Sequence, residues 1–559
     1  MTRNPFWRAL AALAVAGLAI GATTPAQAAG SHALIAGSGS SWSANAVNQW
    51  IADVQSQGLQ VVFTSSGSAQ GRKDFANRQN DFAVTDIGFQ GRDPATNADD
   101  SPDGRGYAYL PIVAGGTSFP YQLQVAGQLV RNLRLSGATL AGIFTGKITN
   151  WNAPQITADN NGRKFPSIPI IPVVHSEGSG STAQFTRYLA TEFPNEWTSI
   201  NKDQNGNGLD ELTEYFPASK VKNAVAQNGS DGVMNFVTSK AANGAIGYDE
   251  YSYALGKDYP VAKIENKAGY FTLPTQYNVA VALLKAKINY DKNSKDYLLQ
   301  DLDNVYVDKD VRTYPLSSYS YQVIPIASND KTMTTAKRQT LADFDFYSIC
   351  TGQTEMGPIG YSPLPVNLVQ AGFKQIAELK TADSGVDLTK RNVNSCHNPT
   401  FVPGDPKGNH LAQIAPKPPA CDKAGAGPCT DAGDPGTSGG GGHGGNGGGG
   451  NGGGTGGGGG GANPTNPGGG ANPTTPGGGG GQTDPTNPGQ VADPTNPTNT
   501  TPGGTTTDTS NIVAQPTEIP TSQNTDVLGP LAGILFLLIL IGPPMLARRL
   551  RTAPPKDSI

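Results

Sequence analysis

Charge is scarce in this sequence and is nowhere concentrated. Only 15% of the 559 residues are charged, the formal net charge is −4, and no region carries a dense run of Lys and Arg. Proteins that bind nucleic acids rely on such a basic patch to meet the phosphate backbone, so this class of partner is excluded. None of the Gly-rich loops contains the Lys of a P-loop, so nucleotide binding is not indicated either.

Both ends of the chain have the pattern of exported, membrane-anchored proteins. Residues 1–28 predict a signal peptide, with two Arg residues ahead of a short apolar run and a cleavage site at residues 26–28. Residues 527–547 contain no charge and precede the basic tail 548–559, which predicts a transmembrane helix with a cytoplasmic C-terminus. No L-P-x-T-G sorting motif precedes this helix. We therefore expect an exported protein that is anchored in the cell membrane and displayed at the cell surface.

Cysteine is rare, since the first of the four cysteines is Cys350. No cysteine lies near the predicted cleavage site, which excludes a lipoprotein anchor there. An even number of cysteines on the exported side predicts two disulfides. Three pairings are possible, and we favour Cys350–Cys396 with Cys421–Cys429 because each then closes a local loop. The spacings match no zinc pattern, so metal binding by these cysteines is the weaker interpretation.

The glycines are concentrated in a linker. Residues 431–510 contain 32 Gly and 10 Pro. They lack the three-residue period of collagen, and such a composition cannot build a packed core. We therefore predict a disordered Gly/Pro-rich linker over residues 417–525, which leaves a folded body at about residues 31–416.

Short apolar runs alternate with helix-like segments in the body. This alternation predicts an α/β fold with largely parallel sheets, and the length favours two lobes with a cleft between them. Buried strands are predicted at residues 61–63, 82–84, 170–174 and 279–282, and helices at residues 43–54, 184–189 and 233–238.

Four clusters of small residues lie where a strand run meets a helix start, at residues 36–42, 65–71, 84–86 and 175–182. Glycine lets a backbone approach a ligand closely, helix N-termini present unpaired N–H groups to an anion, and Ser hydroxyls add donors without charge. Any one of these loops alone is better explained as an ordinary turn or helix cap. Several in one chain point to a shared oxyanion site.

Two carboxylates, Asp86 and Glu177, lie within these clusters. They suit an anion only if that anion still carries a proton, because an ionised carboxylate accepts the hydrogen bond that such a proton donates. Phosphate at neutral pH has this proton and sulfate does not, so the same carboxylates would discriminate between the two. The alternative for either residue is a helix-capping role.

An insertion at residues 203–214 satisfies the spacing of an EF-hand loop. The pattern would draw calcium ligands from Asp203, Asn205, Asn207, the Leu209 carbonyl and Glu214. Against a calcium site, position eight is Asp210 rather than an apolar residue, and no clear helix pair flanks the loop. The alternative is a solvated loop, and any calcium would be structural.

The clusters resemble those of the PstS family, the phosphate-binding proteins of ABC transporters within the type II periplasmic binding proteins. The resemblance is close over residues 34–256 and includes the stretches 135–151 and 235–253; it is looser over residues 314–373. It implies a two-lobed fold, in which we assign residues 31–115 and 309–400 to lobe 1 and residues 116–308 to lobe 2.

Matched by position, the resemblance implies a phosphate site. Its residues would be Ser41, Trp42, Ser68, Asp86, His175, Glu177, Ser179, Gly180 and Ser181. Two of them depart from the family, since His175 replaces a phosphate-contacting Arg and Glu177 replaces an Asp. The resemblance then implies a site without its usual fixed positive charge and with a pH-sensitive imidazole in its place.

These expectations combine into a binding protein that captures inorganic phosphate between its lobes and delivers it to an ABC permease. It would need no cofactor and would not be an enzyme, since the sequence shows neither a metal cluster nor a nucleophile–His pair for a phosphatase. The alternative is a tethered display or adhesion protein that keeps the binding fold without transport.

Overall fold

The computed structural model describes residues 32–92, 99–203, 205–291, 293–294, 296–405 and 407–429. The predicted signal peptide, transmembrane helix, basic tail and most of the predicted linker lie outside these residues. Within them, no helix combines the length and the apolar character that a membrane span requires.

Strands and helices alternate along the described chain. The strands are β1 (Ile35–Gly39), β2 (Val61–Ser65), β3 (Phe82–Thr85), β4 (Gly91–Arg92), β5 (Asp99–Asp100), β6 (Tyr107–Ser118), β7 (Gln124–Val125), β8 (Gln128–Leu129), β9 (Arg134–Leu135), β10 (Ile171–His175), β11 (Val225–Gln227), β12 (Ala245–Gly247), β13 (Asp249–Glu250), β14 (Lys263–Glu265), β15 (Phe271–Thr272), β16 (Lys287–Ile288), β17 (Gln300–Asp301) and β18 (Ser317–Pro325). The α-helices are α1 (Ala44–Gln55), α2 (Ser68–Ala76), α3 (Gly137–Phe144), α4 (Pro154–Asp159), α5 (Gly180–Glu192), α6 (Pro194–Ile200), α7 (Gly229–Thr238), α8 (Tyr251–Leu255), α9 (Gln276–Leu283), α10 (Asp303–Tyr306), α11 (Thr335–Ile349), α12 (Val366–Ala382) and α13 (His410–Ile414). Short 3-10 helices occupy Ala218–Lys220, Lys240–Ala242, Thr351–Glu355, Val393–Ser395 and Ala420–Asp422.

Six of the seven elements predicted from apolar patterning are confirmed. The predicted strands correspond to β2, β3 and β10, and the predicted helices lie in α1, α5 and α7. The strand predicted at residues 279–282 is wrong, because this run forms helix α9. The Thr275 hydroxyl caps that helix by accepting a hydrogen bond from the Asn278 backbone N–H.

Helix α9 misled the prediction because it is surrounded by protein. Residues 279–283 are all buried, and they pack against two separate cores and against helix α13. A helix buried on every side has a continuous apolar run, which over a few residues cannot be distinguished from a buried strand by its period.

Two sheets with their own cores confirm the predicted two-lobed α/β architecture. The larger sheet has the order β13-β6-β18-β3-β1-β2, and the smaller β11-β10-β12. The smaller sheet is parallel throughout. In the larger, β1 runs parallel to β2 and β3, whereas β18 runs antiparallel to β3 and β6. The expectation of largely parallel sheets is therefore wrong for the part of the larger sheet around β18. This strand, which comes late in the chain, lies between β3 and β6 and runs antiparallel to both.

The hydrophobic cores divide the body into two lobes. The core of lobe 1 draws on residues 35–114 and 319–396, and that of lobe 2 on residues between 119 and 316. The chain passes from the lobe 1 core to the lobe 2 core just after β6 and returns just before β18, so these two strands lie where the lobes are connected. Residues 279–299 depart from the predicted division, since Val279, Leu283 and Leu299 pack in the lobe 1 core.

Residues 401–405 and 407–429 form a C-terminal strap that packs back on the body. Helix α13 in this strap packs on α9, and the Arg312 Nη1 atom donates to the Ala412 carbonyl over 2.9 Å. Further along, the Asp422 carboxylate lies 2.8 Å from the Lys263 amine of lobe 2. The predicted linker, placed from residue 417, therefore starts no earlier than residue 430, because the preceding residues belong to the packed strap.

Both favoured disulfides, Cys350–Cys396 and Cys421–Cys429, are confirmed. The first joins the end of helix α11 to the end of lobe 1, and both of its cysteines are buried in the lobe 1 core. The second closes the strap, where the Cys421 carbonyl accepts a hydrogen bond of 3.0 Å from Arg134 of lobe 2.

Loss of the first disulfide should destabilise the protein more than loss of the second. The two bonds close loops of 46 and 8 residues, and the loop-entropy relation gives about 4 and about 2.5 kcal/mol respectively. The measurement is the free energy of unfolding in urea for C350A/C396A and for C421A/C429A, each compared with the unchanged protein. An equal cost for the two double variants would contradict the expectation.

Candidate functional site

Four helices begin around one point between the lobes. In lobe 1, β1 leads into α1 and β2 into α2; in lobe 2, β10 leads into α5 and β11 into α7. Each helix thus starts at the carboxyl end of a strand, where ligands bind in open α/β sheets. The backbone N–H groups of the helix starts and the positive ends of the helix dipoles meet there, which favours an anion.

The Asp86 carboxylate stands at the centre of this point. It follows strand β3, is only 3% exposed, and accepts hydrogen bonds from the hydroxyls of Ser40, at 2.9 and 3.0 Å, and of Ser68, at 3.1 Å. Burial raises the pKa of Asp86 to about 6, although both serines and nearby Arg72 act in the opposite direction. Near neutral pH the group is therefore largely an ionised hydrogen-bond acceptor.

Lobe 2 supplies a buried ion pair. The His175 Nδ1 atom lies 2.7 Å from a Glu177 carboxylate oxygen, and the other Glu177 oxygen accepts from the Gly229 backbone N–H at 3.0 Å. Burial alone would lower the pKa of His175 and raise that of Glu177. Their contact outweighs burial, so the pKa of His175 is raised and that of Glu177 is lowered. The Glu177 carboxylate thus favours the cationic form of the imidazole, whose Nε2 atom has no hydrogen-bond partner among the described residues.

The two lobes meet closely at this site. Asp86 of lobe 1 lies against Gly180, the first residue of α5, where a Cβ atom would overlap the carboxylate. The Ala69 backbone N–H donates to the Gly178 carbonyl over 3.1 Å. On the other side, the Ser41 hydroxyl contacts the Ser230 backbone N–H and hydroxyl at 3.2 and 3.0 Å. The structure is therefore in a closed conformation.

The remaining candidate residues have mixed roles. Ser179 caps α5 by accepting from the Thr182 N–H, and Ser181 is buried in the first turn of that helix. The Trp42 ring packs edge-on against Tyr361 in the lobe 1 core, so Trp42 could contact a ligand only through its backbone. The nine candidate residues thus come from both sides of one closed cleft.

Sequence reasoning missed part of the site. It did not select Ser40, the closest hydroxyl to Asp86, although Ser40 lies inside the first small-residue cluster. It also overlooked the start of α7, where Gly229 and Ser230 contact Glu177 and Ser41. The signal was available, because Asn-Gly-Ser directly follows strand β11 in the same strand-to-helix pattern as the other clusters.

The structure brings Asp203, Asn205 and Asn207 of the calcium motif together in one turn but places Glu214 elsewhere. Asp203 is half-buried and caps its own turn, since it accepts from the backbone N–H groups of Asn205 and Asn207 at 2.8 Å each. Glu214 is buried instead, and its carboxylate pairs with Arg72 at 2.6 Å. Calcium binding by this loop stays a sequence-based prediction, without Glu214 among its ligands.

A family model and several curated relatives assign this chain to the same family of binding proteins. A family model described as a PBP superfamily domain matches residues 22–350. The phosphate-binding protein PstS of Methanocaldococcus jannaschii is 28% identical over 342 residues, which cover 60% of this chain and 83% of the relative. PstS2 of Mycobacterium bovis is 30% identical over 334 residues, covering 59% and 82%, and PstS3 of the same organism is 30% identical over 352 residues, covering 62% and 87%.

Two solved structures are among those similar to this chain. The crystal structure of a DING protein is 21% identical with a TM-score of 0.46, over 63% of this chain and 99% of the other. A phosphate-binding protein from Stenotrophomonas maltophilia is 17% identical with a TM-score of 0.46, over 64% and 99%.

Substitution of Gly180 should be costly. In G180A the new methyl group would overlap the Asp86 carboxylate, so we expect the free energy of unfolding to fall by roughly 2 kcal/mol. Gly232 offers a matched control, because a Cβ there finds its nearest neighbours in Gln227 at an ordinary 3.6 Å. Urea unfolding of G180A and G232A measures both; equal stability of the two variants would mean that the close approach at Gly180 is not required.

Ionisation of Asp86 should cost folding stability as the pH rises. Its pKa is about 6 in the folded protein against 3.8 unfolded, so the cost accumulates between these values and is complete above pH 6. We expect D86N to be more stable than the unchanged protein by roughly 2–3 kcal/mol at pH 7.5, and by little at pH 4. Urea unfolding at both pH values checks this, with D258N, an exposed carboxylate, as the control. A D86N gain that does not depend on pH would contradict the assignment.

Proposed function

Because the chain belongs to the PBP superfamily and, within it, to the PstS phosphate-binding proteins, we propose that it binds inorganic phosphate in the cleft between its lobes. The phosphate would lie among the four helix N-termini, where backbone N–H groups and the serine hydroxyls can donate to its oxygens. Donors of this kind bind an oxyanion without needing a large net positive charge on the protein.

One observation carries this proposal: a buried carboxylate stands against a helix N-terminus. Asp86 lies on Gly180 at the start of α5 and is held by Ser40 and Ser68. A carboxylate there would repel a fully ionised anion, but it accepts a hydrogen bond from an anion that keeps a proton. Hydrogen phosphate meets this requirement and sulfate does not, so Asp86 would select between the two.

The basic groups of the site are paired with carboxylates. Arg72 in lobe 1 contacts Asp100 and Glu214, and His175 in lobe 2 contacts Glu177, which raises the pKa of the imidazole. The replacement of the family's Arg by His175 thus leaves a site that would hold an anion by oriented donors and not by a net positive charge.

Transport follows from the proposed binding as a second step. Strands β6 and β18 lie where the lobes are connected and provide a place for hinge motion, so phosphate would be enclosed on closure and released on opening. We propose that an ABC permease receives the released phosphate, and that the protein works by binding without chemistry while held at the membrane. The display alternative gains no support from the relatives, which are named phosphate-binding proteins, and we do not propose it.

The protein should prefer phosphate to sulfate, and Asp86 should cause the preference. We expect at least about 100-fold tighter binding of phosphate at pH 7.5, because sulfate leaves a buried carboxylate without its hydrogen bond. The preference should shrink as the pH falls below about 6, where a protonated Asp86 can donate to sulfate. In D86N the affinities for phosphate and sulfate should differ by no more than about tenfold at either pH. Calorimetric titration with each anion at pH 7.5 and pH 5 measures these ratios.

D345N is the control for this experiment. Asp345 is another fully buried carboxylate of lobe 1 with a pKa raised by burial, but it lies on helix α11 outside the site. Its selectivity should equal that of the unchanged protein. Absence of phosphate binding between pH 6 and 8 would reject the proposed function, whereas an unaltered phosphate-to-sulfate ratio in D86N would reject only the role of Asp86.

A further inference from the structure

Arg72 is a buried cation that reaches both lobes. It lies on helix α2, one turn after Ser68, and its side chain has no exposed surface. Within lobe 1, its Nε atom donates to both carboxylate oxygens of Asp100 at 2.9 and 3.1 Å, and its Nη1 atom donates to the Thr85 hydroxyl at 2.8 Å. Its Nη2 atom turns to lobe 2 and contacts the Glu214 carboxylate at 2.6 Å.

Glu214 is fixed to lobe 2 by its backbone. Its carbonyl accepts from the Ser179 backbone N–H at 3.1 Å, directly before helix α5. The neighbouring Thr213 exchanges two hydrogen bonds with the Thr186 hydroxyl of the same helix, at 2.9 and 3.0 Å. The insertion that ends at Glu214 is thus attached to the helix that opens onto the site, and the Glu214 side chain crosses to lobe 1.

The pair is well placed to respond to lobe motion. Arg72 is fully buried and the Glu214 side chain is 7% exposed, so water does not screen their contact in the closed structure. Burial alone would lower the pKa of Arg72, but Glu214 and Asp100 raise it overall, so the cation persists. Opening the lobes would separate the two charges. Asp100 would remain on Arg72, so lobe 1 keeps a neutralised cation in either state.

We propose that Arg72 and Glu214 form a latch between the lobes, which stabilises the closed conformation and thereby strengthens phosphate binding and slows phosphate release. The proposal rests on the proposed function for its ligand, though not for the latch itself. It gives the insertion at residues 203–214 a role, since the last residue of its calcium-like motif reaches across the cleft. Glu214 is a positioning residue here, because its contact is with Arg72 rather than with the anion.

A competing explanation makes Glu214 a repelling charge. Its carboxylate is near enough to Asp86 to raise the pKa of that group, and it could equally oppose a bound anion. Two variants separate the explanations. E214Q removes the charge but keeps the length, and E214D keeps the charge but is too short by one methylene to maintain the 2.6 Å contact.

The experiment measures lobe contact and affinity in the full-length protein. Hydrogen exchange without ligand reports on the backbone N–H groups of Ala69 and Ser230, which donate across the cleft. Calorimetry with inorganic phosphate reports on affinity. For both E214Q and E214D we expect exchange at these amides to be at least about fivefold faster and phosphate to bind about tenfold more weakly, because a charge-assisted hydrogen bond is lost. E196Q removes a partly exposed ion pair within lobe 2 and should change neither.

Each outcome decides the proposal. Tighter phosphate binding by E214Q together with unchanged exchange would show a repelling charge and overturn the latch, as would an E214D variant that behaves like the unchanged protein. Faster exchange with unaltered affinity would overturn the claim that the latch strengthens binding. If the unchanged protein binds no phosphate, the proposed function fails, but the exchange rates of the variants still test the latch.

Discussion

The cost of burying one negative charge organises the centre of this protein. The Asp86 carboxylate is removed from water, and burial moves its pKa to about 6. It remains an acceptor near neutral pH because two serine hydroxyls donate to it and because it rests on a helix N-terminus without a side chain at Gly180. The same constraint requires the lobes to fit closely at Asp86 and Gly180, so under the proposed function one contact would govern both the selection of the ligand and the closing of the lobes.

A second constraint is the placement of positive charge. The chain has few charges, and its site uses them in buried groups that cross-neutralise: His175 with Glu177, and Arg72 with Asp100 and Glu214. Buried pairs of this type are expensive to form and costly to break on one side only, so they fix geometry more than they add stability. An anion that enters such a site meets oriented hydrogen-bond donors and charges that are already paired with one another, and it does not meet a net positive potential.

Much of the site could be predicted from local sequence, and the rest could not for a physical reason. The clusters at strand-to-helix junctions could be recognised because glycine and serine have special backbone and hydrogen-bonding properties. The family resemblance then implied site roles for Ser68, Asp86, Ser179 and Gly180 within them. Helix α9 could not be predicted, since a short apolar run that is surrounded by protein shows no alternation between apolar and polar residues from which a helix could be told from a strand. The contact between Glu214 and Arg72 could not be predicted either. A motif defines only the spacing of residues along the chain, and it does not reveal a cation from a distant part of the chain that pairs with its last carboxylate.

The C-terminal strap has a consequence for where the protein's binding unit ends. The family model stops at residue 350, whereas packing continues to Cys429 and involves both helix α9 and lobe 2. A boundary drawn at the end of the family match would retain the candidate site residues but remove helix α12 and Cys396 from the lobe 1 core, together with the strap. A protein of this kind would depend on lobe motion as well as on ligand contacts. A fragment that is just long enough to bind therefore need not be long enough to open and close at the natural rate.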